Sequence, residues 1–153
     1  MTDSSETALG HQHVVNNGKR DLTLHELAAT QPGLDRLMAE LGPRMHRLYF
    51  AGQAENWPLA GYFFRSVVKQ LSLCAFSRPK YADAITSYLA VECEPVRLAI
   101  KDADAAAFEA SYAAMVQRAN GYHDEFAKPY LHWVCPATPP DDLDFTAGLS
   151  APD

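Results

Sequence analysis

His123 lies beside Tyr122 near the end of the last long apolar-patterned stretch of the chain. An imidazole titrates near neutrality, so His123 can act as a general acid or base, with Tyr122 as a hydroxyl donor. The plainer reading is a partly exposed histidine at a helix end, beside a tyrosine that fills core. Glu92-Cys93-Glu94 offers two carboxylates and a thiol, but side chains two apart lie on different helix faces and make no acid/base pair. His11-Gln12-His13 can bind a metal only weakly. Arg65 and Arg97 could supply a cation to an acidic ligand, although solvated arginines are the commoner case.

The other candidates are apolar. Tyr62, Phe63, Phe64, Tyr81, Tyr88 and Phe126 predict an aromatic-rich interior. Phe63 and Phe64 are consecutive and cannot both face one seam, so one should line a pocket or a dimer contact. Met45 falls on an apolar stripe, with His46 one residue off it. Asn56-Trp57 reads as an N-cap followed by an indole packed on the preceding helix. There is no P-loop, dinucleotide glycine pattern or nucleophile elbow, and no pair of Glu-x-x-His segments for a di-iron site.

These side chains need helices to position them. Thr23-Leu24-His25-Glu26 fits a capping box opening a short amphipathic helix. Leu34, Leu37, Met38, Leu41, Met45, Leu48 and Gly52 recur at three- and four-residue spacing, and Pro43 inside that stripe predicts a kink. A second helix opens at Asn56-Trp57-Pro58, with Leu59, Tyr62, Phe63, Val67, Gln70 and Leu71 inward, and ends near Ser77. A third carries Tyr81, Ile85, Tyr88, Leu89 and Val91 inward and is kinked or divided at Pro95. Asp104 caps a fourth, whose stripe is Phe108, Tyr112, Met115, Ala119, Tyr122 and Phe126. No useful period-two run exists, so no sheet is expected. The fold class is all-α: an antiparallel up-down four-helix bundle with a short N-terminal helix and an irregular C-terminal tail. The expected organisation is a disordered arm over 1–20, the bundle over 21–130, and a Pro-rich tail over 131–153 pinned by Trp133 and Phe145.

Bulk properties narrow the partners. The chain has 153 residues, 48% of them hydrophobic, and a formal net charge of -6. That acidity disfavours nucleic acid, and no basic run exceeds Lys19-Arg20, so neither nucleic acid nor a membrane surface is an expected partner. The first residues show no signal-peptide pattern. Cys74, Cys93 and Cys135 are odd in number and widely spaced, which suits reduced thiols in a cytoplasmic protein.

Two segments carry a resemblance. The run Leu48 to Ala60 (Leu-Tyr-Phe-Ala-Gly-Gln-Ala-Glu-Asn-Trp-Pro-Leu-Ala) and the run Ala99 to Glu109 resemble segments of bacterial proteins of the cytochrome c prime-like family, as does the Pro-rich tail. The resemblance covers roughly 31–145 and implies a four-helix bundle, commonly dimeric. Many members attach haem through CxxCH near the end of the last helix. The matching place is Ala119-Asn120-Gly121-Tyr122-His123, where both thiols are replaced and the histidine remains. Covalent haem is therefore excluded there and no cofactor is expected. His123 as axial ligand of a non-covalent haem, with Met45 as a conceivable second ligand, is the alternative the resemblance implies.

The resulting expectation is a homodimeric binding protein. It would hold a small apolar or aromatic molecule in an interior pocket lined by Met45, Tyr49, Trp57, Phe63, Tyr88, Tyr122 and Phe126. The competing readings are a cofactor-independent lyase, isomerase or hydrolase using His123 and Tyr122, and a non-covalent haem protein.

Overall fold

A computed structural model gives the structure of the protein and describes residues 14–149. The structure is mostly helical, with one two-stranded antiparallel sheet. The chain divides into two compact units, 1–33 and 34–153.

In the first unit, strands β1 (Val14–Asn16) and β2 (Asp21–Thr23) pair with Val15 opposite Leu22. This corrects two expectations, the absence of a sheet and an unstructured arm reaching residue 20. Three-residue strands are too short to show alternation; the turn chemistry holds them instead. The Asn17 side chain accepts from the amides of Lys19 and Arg20, Asn16 accepts from Gly18, and Gly18 takes a positive φ of 83°. The His11/His13 pair lies outside the described residues. Helix α1 (Leu24–Ala29) follows, and both arms of its capping box form: Thr23 accepts from the Glu26 amide, and Glu26 accepts from the Thr23 amide.

The second unit holds α2 (Leu34–Gln53), α3 (Trp57–Ser77), a 3-10 turn (Pro79–Tyr81), α4 (Ala82–Val91), α5 (Cys93–Asp102) and α6 (Ala105–Glu125). Helix α2 packs on α3 and α6, α3 also meets α4 and α5, and α5 packs on α6. Helix α2 runs through Pro43 without interruption. The expected division near Pro95 occurs three residues earlier, at Glu92, and leaves Pro95 in the first turn of α5, where its missing donor costs nothing.

The helix junctions follow one design. Helix α2 ends in a Schellman motif: the Asn56 amide donates to the Ala51 carbonyl and the Glu55 amide to Gly52. Helix α5 ends likewise, with Asp104 donating to Ala99 and Ala103 to Ile100. The last residue of each motif is also the N-cap of the next helix: Asn56 accepts from the Leu59 amide and Asp104 from Ala107. One residue therefore ends one helix and begins another. Helix α6 closes in the same way, with Lys128 donating to His123 and Ala127 to Asp124, and Glu55, Ala103 and Ala127 hold the left-handed positions of the three motifs (φ 54°, 55° and 57°), where a β-carbon costs about 1 kcal/mol each.

The core comprises fully buried Leu48, Val67, Cys74, Cys93, Val96, Phe108, Tyr112 and Met115. Burial of each large apolar side chain contributes about 1.5–3 kcal/mol. Two inward expectations fail: Tyr62 is 59% exposed and Val91 60%. In α3 the stripe is Ala60, Phe64, Val67, Leu71 and Cys74, so Phe64 takes the core and turns Tyr62 outward. Gly52 lets α2 approach Phe108, because a β-carbon there would lie 2.0 Å from the ring. Gly52→Ala should therefore lower stability by about 1–3 kcal/mol, measured by urea unfolding; an unchanged midpoint would show that the ring yields freely.

Candidate functional site

His123 is half-buried in the last turn of α6. Its Nδ1 lies 2.7 Å from the Leu131 carbonyl, which can only accept, so Nδ1 carries the proton and donates. The imidazole thereby ties the tail to the helix end. Tyr122 packs edge-on to Tyr88 with ring centroids 6.0 Å apart, and the Arg118 guanidinium covers it at 3.9 Å. Arg118 also binds Glu125 at 2.7 Å and meets a Glu92 oxygen at 3.4 Å; the other oxygen of Glu92 is buried with no partner. With Nδ1 donating, Nε2 is the unprotonated nitrogen of His123, the one that could accept a proton or ligate an iron.

The remaining expected site residues are dispersed through the packing rather than grouped. Tyr88 is buried and donates to the Met115 carbonyl at 3.0 Å, while Tyr112 donates to the Met45 carbonyl at 2.9 Å. Burial pushes both phenols well above their ordinary range. Tyr49 stacks tilted on Tyr112 at 4.9 Å, and burial raises its phenol too. Trp57 meets Phe108 at 6.0 Å, Phe63 meets Tyr62 at 5.2 Å, and Phe126 meets Tyr81 at 4.8 Å. The structure brings Tyr88 to Tyr122 and links Trp57 to Tyr49 through Phe108 and Tyr112, but places Phe63 and Phe126 in separate contacts.

Several polar groups near these positions hold the tail. Asn120 forms a two-bond clasp with the Trp133 backbone, both bonds 2.8 Å. His46 bonds the Thr138 carbonyl at 2.7 Å, and Arg47 pairs with Asp142. Asn56, 4% exposed, donates to the carbonyls of Phe145 (2.9 Å) and Ala147 (3.1 Å). Trp133 sits against Gly42, where a β-carbon would lie 2.6 Å from the indole. The tail thus runs along α2 from Gly42 towards Asn56, with Trp133 against Gly42 and Phe145 bonded through its carbonyl to Asn56.

Two open clefts lie among the described residues of the helical unit. One, of about 620 Å³, lies between α6 and the tail and includes Gln117, Asn120, Asp124, His132, Trp133 and Cys135. The other, of about 520 Å³, lies between α3 and α5. Its floor is Trp57, Pro58, Gly61, Phe64 and Ile100, and its rim is Arg65, Arg97 and Lys101. Trp57, Gly61, Phe64 and Arg65 share a face of α3 at i, i+4, i+7 and i+8, and Arg97, Ile100 and Lys101 share one of α5. Trp57, Phe64, Arg65 and Arg97 stood among the sequence candidates. Gly61, Ile100 and Lys101 did not, although the spacing from their neighbours was the available signal.

No protein-family model, curated protein or solved structure matches the chain. Among the described residues no helix is long and apolar enough to cross a membrane, and no cluster of three His, Cys, Asp or Glu side chains could hold a metal ion.

Asn56→Asp keeps the cap acceptor of α3 but removes both donors to the tail and sets a carboxylate against two carbonyls. It should destabilise by about 1–3 kcal/mol and speed proteolysis after residue 130, whereas wild-type resistance would show that the tail is held without it. Burial pushes the Cys93 thiol up to about 12, with Glu92 adding repulsion, from an ordinary value near 9.0. The folded state then keeps a proton that the unfolded state loses, so this group's contribution to stability falls as pH rises from about 9 towards 12. At pH 8, iodoacetamide should label exposed Cys135 and spare buried Cys74 and Cys93 until unfolding; equal labelling would contradict the burial.

Proposed function

We propose that the chain is a small-molecule-binding protein built as an antiparallel up-down four-helix bundle, in which α4 and α5 form one broken helix. Support for the topology comes from the single-residue junctions at Asn56 and Asp104. The starts of α3 and α6 meet through Trp57 and Phe108, so both junctions share an end. The ligand in this reading is small and carries an apolar or aromatic part, as the sequence suggested. Its site is the α3/α5 cleft rather than the interior, because Tyr88 and Tyr112 occupy the interior with their hydroxyls bonded to helix carbonyls.

The observation that carries the reading is the apolar floor of Trp57, Phe64 and Ile100 beneath an opening of about 520 Å³, a volume within the range of small-ligand sites. Gly61 keeps the opening free. A β-carbon there meets only the Arg65 guanidinium at 3.3 Å and Ile100 at 3.8 Å. Acid/base catalysis by His123 has less support, since Tyr122, its expected partner, is covered by Arg118 and neither residue lines either of the clefts described above.

Fluorescence titration with phenylnaphthylamine, a neutral aromatic probe, tests this reading. The full chain should take up the probe at one site with quenching of tryptophan emission, and Gly61→Phe, which fills the cleft without entering the core, should abolish uptake. Equal uptake by Gly61→Phe would place binding elsewhere. A Soret band that forms on adding hemin and disappears in His123→Ala would favour the haem reading instead.

A further inference from the structure

Resting on that reading of the cleft, we propose that its ligand is an amphipathic organic anion: a ring or short alkyl body bearing a carboxylate, sulfonate or phosphate. The body would lie on Trp57, Phe64 and Ile100, and the charged group would be held by Arg65 and Lys101.

The charge distribution around the cleft carries this. The chain is acidic overall, at -6, yet the three charged residues lining the cleft are Arg65, Arg97 and Lys101, all cations. Among the described residues Arg20, Arg44, Arg47 and Arg118 have a carboxylate within 4 Å, while Arg36, Lys69 and Lys128, like Arg65 and Lys101, have none; only Arg65 and Lys101 of the unpaired cations line this cleft. Arg97 is engaged, donating twice to Glu94 at 2.6 and 2.7 Å, and Asp102 adds a further favourable field at Arg97. Arg97 therefore contributes mainly its aliphatic stem. Arg65 and Lys101 make no ion pair or side-chain hydrogen bond among the described residues, although both border an apolar floor.

Two unpaired cations of like sign converging on one cleft repel each other and are relieved by an anion. Their position beside apolar surface lowers the local dielectric and strengthens the attraction over that of a fully solvated pair. The Arg65 guanidinium, placed beside Gly61, presents a planar fork that suits carboxylate, sulfonate or phosphate oxygens. Lys101, in the last turn of the α5 helix, adds a mobile point charge from the opposite wall. A neutral apolar ligand would use the floor and leave both cations idle.

Paired probes on the full chain provide the test: anilinonaphthalene sulfonate, which is anionic, and phenylnaphthylamine, its neutral counterpart. The chain should bind the anionic probe more tightly, and rising salt should weaken that probe alone. In Arg65→Gln/Lys101→Gln, anionic-probe affinity should fall about tenfold while neutral-probe affinity changes less than about twofold. Lys69→Gln, which removes a cation of α3 outside the cleft, should change neither. All three substitutions fall on exposed side chains, and circular dichroism confirms that the fold persists. Equal affinity for both probes, or equal losses in the double variant, would overturn the anion assignment and leave the cleft standing. Failure of both probes to bind, or binding that Gly61→Phe does not block, would overturn the cleft reading and the anion assignment with it.

Discussion

The buried carboxamide of Asn56 holds three parts of the long-helix unit at one point. Its backbone amide closes the end of α2 on Ala51, its carbonyl accepts from Ala60 in α3, its side-chain oxygen caps α3, and its side-chain nitrogen fastens the tail at Phe145 and Ala147. Only asparagine offers both an acceptor for the cap and donors for two carbonyls from one short side chain. Because the residue is 4% exposed, each of these groups would be left unpaired by the loss of its partner, and water could not replace it cheaply. The neighbouring Trp57 then has a fixed starting point, and through it one wall of the α3/α5 cleft is set.

The sequence was informative where a local rule has one outcome. Thr23, Asn56 and Asp104 are caps because each has an acceptor at the right distance from a free amide. The stripe of α2 and the Phe108, Tyr112, Met115 stripe of α6 were readable from spacing alone. The hairpin was not, since three-residue strands carry no period and depend on asparagine turn bonds. Tyr62 was misplaced because Tyr62, Phe63 and Phe64 are all apolar enough to be core, and only the register of Ala60, Val67 and Cys74 decides which ring is inside.

The candidate site was readable only in part, for a related reason. His123, His46, Arg47 and Asn120 look like chemistry in a sequence, since each type recurs in active sites. In the fold each is used against the tail backbone or a tail carboxylate. Tail segments without secondary structure leave their carbonyls and amides without internal partners, and polar side chains on the helices beneath supply them. The converse holds for Arg65 and Lys101: they look like ordinary surface charges in the sequence, and what sets them apart is that both border the same apolar-floored cleft. Lys101 carries no local signature because its relation to Arg65 crosses two helices.

The tail clasp is also long-range in sequence. The Asn56–Phe145 bond joins residues 89 apart in sequence, and the His46–Thr138 bond residues 92 apart. Closing contacts of such separation costs more chain entropy than closing a helical turn, so the clasp adds non-local contacts to a fold whose helices are held locally. Where the clasp opens, the Asn56 donors meet water and the groove along α2 that receives Trp133 and Phe145 is bared. The flank of α2 is thus covered only as long as contacts about ninety residues apart in sequence persist.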